Sequence, residues 1–138
     1  MDFSLTEEQE LLLASIRELI TRNFPEEYFK RCDETRTFPR EFFNALAESG
    51  IGLLGIPEEL GGVPADMMTQ VLVLEEIARM GAPAYIMTEG QCIHNMQRFG
   101  NAEQLAKTAE VGLTGIPAYS LAFTEPQAGS DNNRIATT

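Results

Sequence analysis

Apolar residues recur through most of the chain at spacings of three and four, the period of helices with one buried face. Leu12, Ile16, Leu19 and Ile20, with Leu13 and Phe24 beside them, form the first such run. Thr6-Glu7-Glu8-Gln9 ahead of it has the form of a capping box, so a helix is predicted to start there and to stop or restart at Pro25. A shorter element over 26–32 follows Pro25, and residues 33–37 read as a polar loop. Pro39 opens a helix over 40–49 in which Phe42, Phe43, Leu46 and Ala47 share a face, and Gly50 sits where a left-handed residue ends it. Residues 66–80 carry Met67, Val71, Leu74 and Ala78 at helical spacing, and Gly81 follows. Pro83 can start a helix that runs through Ile86, Ile93 and Met96 toward Phe99 and Gly100. A second capping box, Asn101-Ala102-Glu103-Gln104, opens a last helix that Gly112 ends.

The pattern then changes. Residues 119–124, Tyr-Ser-Leu-Ala-Phe-Thr, make a short strand-like run between Pro117 and Pro126. One strand makes no sheet, and the few residues after Thr124 encode no partner for it. The reading is an all-α chain with a helical domain over 1–112 and a truncated first strand in 113–138, whose remaining partners lie downstream.

Composition changes this picture little. With 43% hydrophobic and 22% charged residues the chain has ordinary globular usage, and its 138 residues suffice for one core. Charge is more informative. Twenty-one acidic against 10 basic side chains give a formal charge of −11, which repels phosphate backbones and anionic headgroups, so no nucleic-acid or membrane role is expected. Cys32 and Cys92 belong to no CxxC pair or ligand spacing and read as reduced thiols. The acidic start lacks a signal peptide's basic and apolar regions, and no apolar run reaches the ~20 residues of a membrane span. Cytoplasmic residence is the expectation.

Several features invite a chemical reading and fit a plainer one better. Gly50-Ile51-Gly52-Leu53-Leu54-Gly55 matches GxGxxG, but that fingerprint follows a strand and opens a helix, whereas here Gly50 ends a helix and Pro57 closely follows. A helix cap with tight packing is the better explanation. His94 has no second ligand at metal spacing and no nearby nucleophile, so no metal site is expected. Met67, Met68, Met80, Met87 and Met96 read as core fillers, and Glu7, Glu8, Glu10, Glu75 and Glu76 as solvated helix faces.

Thr124-Glu125-Pro126-Gln127-Ala128-Gly129-Ser130-Asp131 is a donor-rich bend. Gly129 permits close backbone approach, and Thr124 and Ser130 add hydroxyls, which suits phosphate oxygens and polar ring edges, as it would also suit a plain turn. The segment resembles the acyl-CoA dehydrogenase signature, a strand ending in Phe-Thr-Glu-Pro-x-Ala-Gly-Ser-Asp. It is joined, in the family's order, by Phe3-x-Leu5-x-x-Glu8-Gln9, by Ile56-Pro57-Glu58-Glu59-Leu60-Gly61-Gly62 and by Phe99-Gly100-Asn101-x-Glu103-Gln104. Met1-Asp2-Phe3, Tyr28-Phe29 with Cys32-Asp33, and Gly81-Ala82-Pro83-x-Tyr85 are most similar to crotonobetainyl-CoA reductases of carnitine metabolism; an ordinary short-chain acyl-CoA is the alternative substrate.

The resemblance implies a subunit of three parts: a helical N-terminal domain, a middle β domain and a C-terminal helical bundle. This chain would supply the first and the start of the second. In that family a glutamate removes the α-proton of an acyl-CoA thioester while the β-carbon gives hydride to FAD, and reductases run the sequence backward. Thr124 and the backbone of Ala122 and Phe123 would contact the flavin ring. Gly129 and Ser130 would contact FAD phosphates or nearby CoA atoms, and Tyr85, Met87 and Gln91 would line the acyl-tail pocket. Gln127 stands where glycine is common, and Asn132-Asn133-Arg134 replaces a smaller, more apolar stretch. The family's catalytic glutamate has no counterpart here, so no catalytic residue is assigned and the chain alone is expected to be inactive. The resemblance also implies homo-oligomers and an electron-transfer flavoprotein as partner. The competing reading is a stand-alone helical interaction module without redox activity.

Overall fold

A computed structural model of the chain describes residues 4–84, 86–112, 119–120 and 122–137. Six α-helices follow in order among them: α1 Glu7–Asn23, α2 Glu26–Glu34, α3 Arg40–Glu48, α4 Met67–Arg79, α5 Ile86–Phe99 and α6 Ala102–Gly112. Three short 3-10 turns, Ile51–Leu53, Glu58–Leu60 and Asn132–Arg134, complete the regular structure described.

Local chemistry sets the helix starts. Thr6 caps α1 by accepting from the Gln9 N–H at 3.2 Å, while the Thr6 N–H donates to Gln9 Oε1 at 3.0 Å, closing the capping box. Asn101 and Gln104 repeat the arrangement ahead of α6, at 2.8 and 2.9 Å. Pro25 and Pro39 are the cap residues of α2 and α3. α2 continues to Glu34, so two of the five residues read as a polar loop are helical. α5 begins at Ile86, three residues beyond Pro83.

Leu13, Ile16 and Ile20 of α1 meet Phe42, Phe43 and Leu46 of α3 and Val73 and Ile77 of α4 in the main core. Phe24, Phe29 and Phe42 meet edge to face or tilted, with centroids 5.1 to 6.4 Å apart. α1 packs on α4, and α5 on α6. Gln9 Nε2 donates to Thr69 Oγ1 at 3.2 Å, and eight residues farther along α1 Arg17 Nε donates to Glu76 Oε1 at 2.8 Å. Because both contacts advance together, α1 and α4 run in the same direction.

The buried face of α4 differs from the one read in the sequence. Val73, Glu76 and Ile77 are buried, whereas Met67, Met68 and Val71 are 72%, 63% and 49% exposed. Met67 and Met68 are therefore not core fillers, and Glu76, unlike its exposed neighbour Glu75, does not lie on a solvated face. The continuous apolar run Val71-Leu72-Val73-Leu74 presents hydrophobic side chains all round the helix, so spacing alone cannot choose the inward stripe.

The GxGxxG segment is structural. Gly50 has φ +78 and follows α3, and a Cβ on Gly52 would come 3.3 Å from the Ala47 backbone nitrogen. The strand read over 119–124 is not formed at its described residues: Tyr119, Ser120 and 122–124 belong to no strand, as expected of a run with no partner to pair its backbone.

Candidate functional site

The segment that bears the proposed donors begins beyond α6. The Tyr119 hydroxyl donates to Thr108 Oγ1 at 3.1 Å, and Thr108, itself buried, donates to the Gln104 carbonyl, so this end of the chain is tied to the last helix.

Glu125 and Ala128 then pair as an isolated antiparallel bridge, Glu125 N–H to Ala128 O at 2.9 Å and Ala128 N–H to Glu125 O at 3.0 Å. Pro126 and Gln127 form the turn between them, consistent with proline's fixed φ. Ala128 is buried at this turn, while Ala122, Phe123, Thr124, Gly129 and Ser130 are all exposed. A Cβ built on Gly129 would meet nothing within 4 Å, so the space beside it is open. The bend thus brings the Thr124 and Ser130 hydroxyls and the Gly129 backbone into one exposed stretch. Its polar groups suit an acceptor-rich ligand rather than an apolar one.

A second feature of the bend was not legible in the sequence. The Glu125 carboxylate accepts from the Ala136 N–H and the Thr137 N–H, each at 3.0 Å, and from the Thr137 hydroxyl and the Gln127 side-chain amide. The Thr137 hydroxyl, with the two amides, holds this carboxyl below the usual carboxylate range. Nothing local marks a partner 11 or 12 residues away. Asp131 caps the Asn132–Arg134 turn by accepting from the Asn133 N–H at 3.2 Å, so the departure from the family's small apolar stretch forms a compact turn.

Of the acyl-pocket candidates, Tyr85 lies outside the described residues. Met87 and Gln91 lie within α5. His94 is exposed, and no metal-binding group of His, Cys, Asp and Glu occurs among the described residues. Cys32 and Cys92 are free thiols, and no helix among the described residues is long and apolar enough to cross a membrane.

The loop before α4 carries another of the family-like motifs. It is closed by a parallel bridge between Leu54 and Val63, with the Gly55 N–H donating to Val63 O at 2.8 Å. Gly61 adopts φ +80, and a Cβ on Gly62 would stand 2.2 Å from Ile56 Cβ, so the paired glycines are set by turn geometry and close approach.

Residues 6–117 match the family model described as acyl-CoA dehydrogenase, N-terminal domain. The chain is 69% identical over 139 aligned residues to proteins named probable acyl-CoA dehydrogenase YdiO in Escherichia coli strain K12 and in Escherichia coli O157:H7. That match covers 100% of this chain and 36% of each relative, so the chain spans about a third of the length of the curated relatives it matches. The capped helices, the two-glycine loop and the extent of the match together place the chain in the acyl-CoA dehydrogenase N-terminal domain family.

Proposed function

We propose that this chain supplies the helical domain, residues 1–112, and the opening of a β domain, residues 113–138, of an FAD-dependent acyl-CoA dehydrogenase or reductase acting at the α,β bond of an acyl-CoA thioester. The observation that carries this reading is the exposed bend of 122–130, which presents two hydroxyls and an open glycine behind a helical domain of this family.

The residues present fit part of a flavin site. Thr124, with the backbone of Ala122 and Phe123, borders the ring and donates to its acceptor atoms. Ser130 and Gly129 meet phosphate oxygens or adjacent CoA atoms. Tyr85, Met87 and Gln91 flank the acyl tail. FAD, when bound, supplies the redox chemistry. The part of this chain is to orient the ring edge and exclude water beside it, while the base that takes the α-proton comes from polypeptide outside these residues. The substrate is an acyl-CoA thioester, with an ordinary short-chain acyl group as the alternative to crotonobetaine. The narrower reading, a crotonobetainyl-CoA reductase of carnitine metabolism, rests on sequence likeness at Tyr28-Phe29, Cys32-Asp33 and 81–85. Phe29 is buried in the ring cluster and Tyr28 packs edge to face on Phe24, so those two residues serve packing. The working protein is a cytoplasmic homo-oligomer that exchanges electrons with an electron-transfer flavoprotein.

The test is a chimera in which this chain replaces the matching 36% of the Escherichia coli K12 relative. Thr124→Ala should weaken FAD binding or shift its reduction potential, since a hydrogen bond to a charged or charge-developing group is worth about 1.5–3 kcal/mol. Unchanged affinity and potential would remove Thr124 from the site. Ser130→Ala should act on cofactor retention or CoA affinity, and if neither moves the phosphate role fails.

A further inference from the structure

The geometry points to Glu125 as a positioning residue: its carboxylate clasps residues 125–137 into a closed loop and so fixes where Gly129 and Ser130 present their donors. This role rests on the flavin-site reading above, whereas the clasp itself is a property of the chain.

Two closures share this one residue. Its backbone pairs with Ala128, and its side chain reaches past the donors to the Ala136 and Thr137 amides. Gly129 and Ser130 lie between the two closures, exposed, with open space beside Gly129. Their placement therefore depends on the loop's ends being held. A carboxylate suits this task because it only accepts. Oε1 takes the Thr137 N–H and hydroxyl, and Oε2 takes the Ala136 N–H and the Gln127 amide. A glutamine would turn one acceptor into a donor facing other donors. Gln127, which stands where the family more often has glycine, supplies the fourth donor. The ion pairs among the described residues are Arg17–Glu76, Arg22–Glu18 and Arg79–Glu76, so the charge of Glu125 is met by hydrogen-bond donors alone.

The clasp is tested by amide hydrogen exchange on the 138-residue chain. Ala136 and Thr137 should be protected in the wild type, less so in Glu125→Gln, which keeps one acceptor, and unprotected in Glu125→Ala. Amides of α1 and α4 should be unchanged in all three, which separates the effect from unfolding. Equal protection of Ala136 and Thr137 in the wild type and Glu125→Ala overturns the proposal. The positioning role is read in the chimera with FAD as the probe. Glu125→Ala should raise the FAD dissociation constant about tenfold, with Glu125→Gln between it and the wild type, tenfold being what 1.4 kcal/mol produces. If amide protection is lost while FAD affinity holds, the positioning role is wrong; the flavin-site reading then stands provided Thr124→Ala still weakens binding. If the wild-type chimera binds no FAD, that reading and the positioning role both fall, and amide exchange still reports on the clasp.

Discussion

Glu76 is a carboxylate whose behaviour is set by two neighbours. Its side chain is 7% exposed, and it accepts from Arg17 Nε at 2.8 Å and Nη2 at 3.2 Å and from the Arg79 guanidinium. The Arg17 hydrogen bonds, followed by those from Arg79, hold its pKa at about 2 against an ordinary 4.5, with burial opposing them. Both arginines are about half exposed or more, so solvent screens this three-membered network. A carboxyl with a depressed folded-state pKa contributes fully above its unfolded value and loses that contribution as pH falls through the folded one. Thermal melts should therefore show stability falling from pH 4.5 toward pH 2, with part of that slope removed in Glu76→Gln. Identical pH dependence in the two proteins would show that the network is not coupled to folding. Gly62→Ala makes a second test at this scale. The added Cβ would overlap the Ile56 backbone and side chain, and overpacking of that kind costs about 1–3 kcal/mol, readable as a lower urea midpoint.

Among the helices, what the sequence disclosed depended on how local the signal was. The capping boxes at Thr6 and Asn101, and Gly50 at the end of α3, were legible because each partner lies within three or four residues. The inward stripe of α4 was not, because four consecutive apolar residues give any rotation of the helix a hydrophobic face. Arg17 and Glu76 lie 59 residues apart, and only the packing of α1 on α4 joins them. The corrected orientation predicts an asymmetry between neighbouring valines. Val73 is 2% exposed, and its truncation to Ala should cost about 1–3 kcal/mol in chemical denaturation. Val71→Ala, at 49% exposure, should stay within about 0.5 kcal/mol of the wild type. The reverse order would restore the stripe through Met67, Val71 and Leu74.

On the scale of the whole molecule, the helices bury a core, whereas the hydroxyls of Thr124 and Ser130 and the Gly129 backbone stand exposed beyond it. The family signature at 123–131 could be read because its residues are contiguous. The clasp across 11 and 12 residues could not, since loop closure leaves no periodic mark in the sequence. On the proposed reading one bend supplies only part of a cofactor site, and a net charge of −11 opposes two anionic ligands, so the isolated chain is expected to bind neither. The direct measurement is a flavin fluorescence titration of the 138-residue chain and of the chimera side by side. We expect no saturable quenching of FAD by the chain alone, saturable quenching by the chimera, and weaker binding by the chimera carrying Thr124→Ala. Saturable micromolar quenching by the isolated chain, or a chimera indifferent to Thr124, would contradict a site that this bend completes but does not make alone.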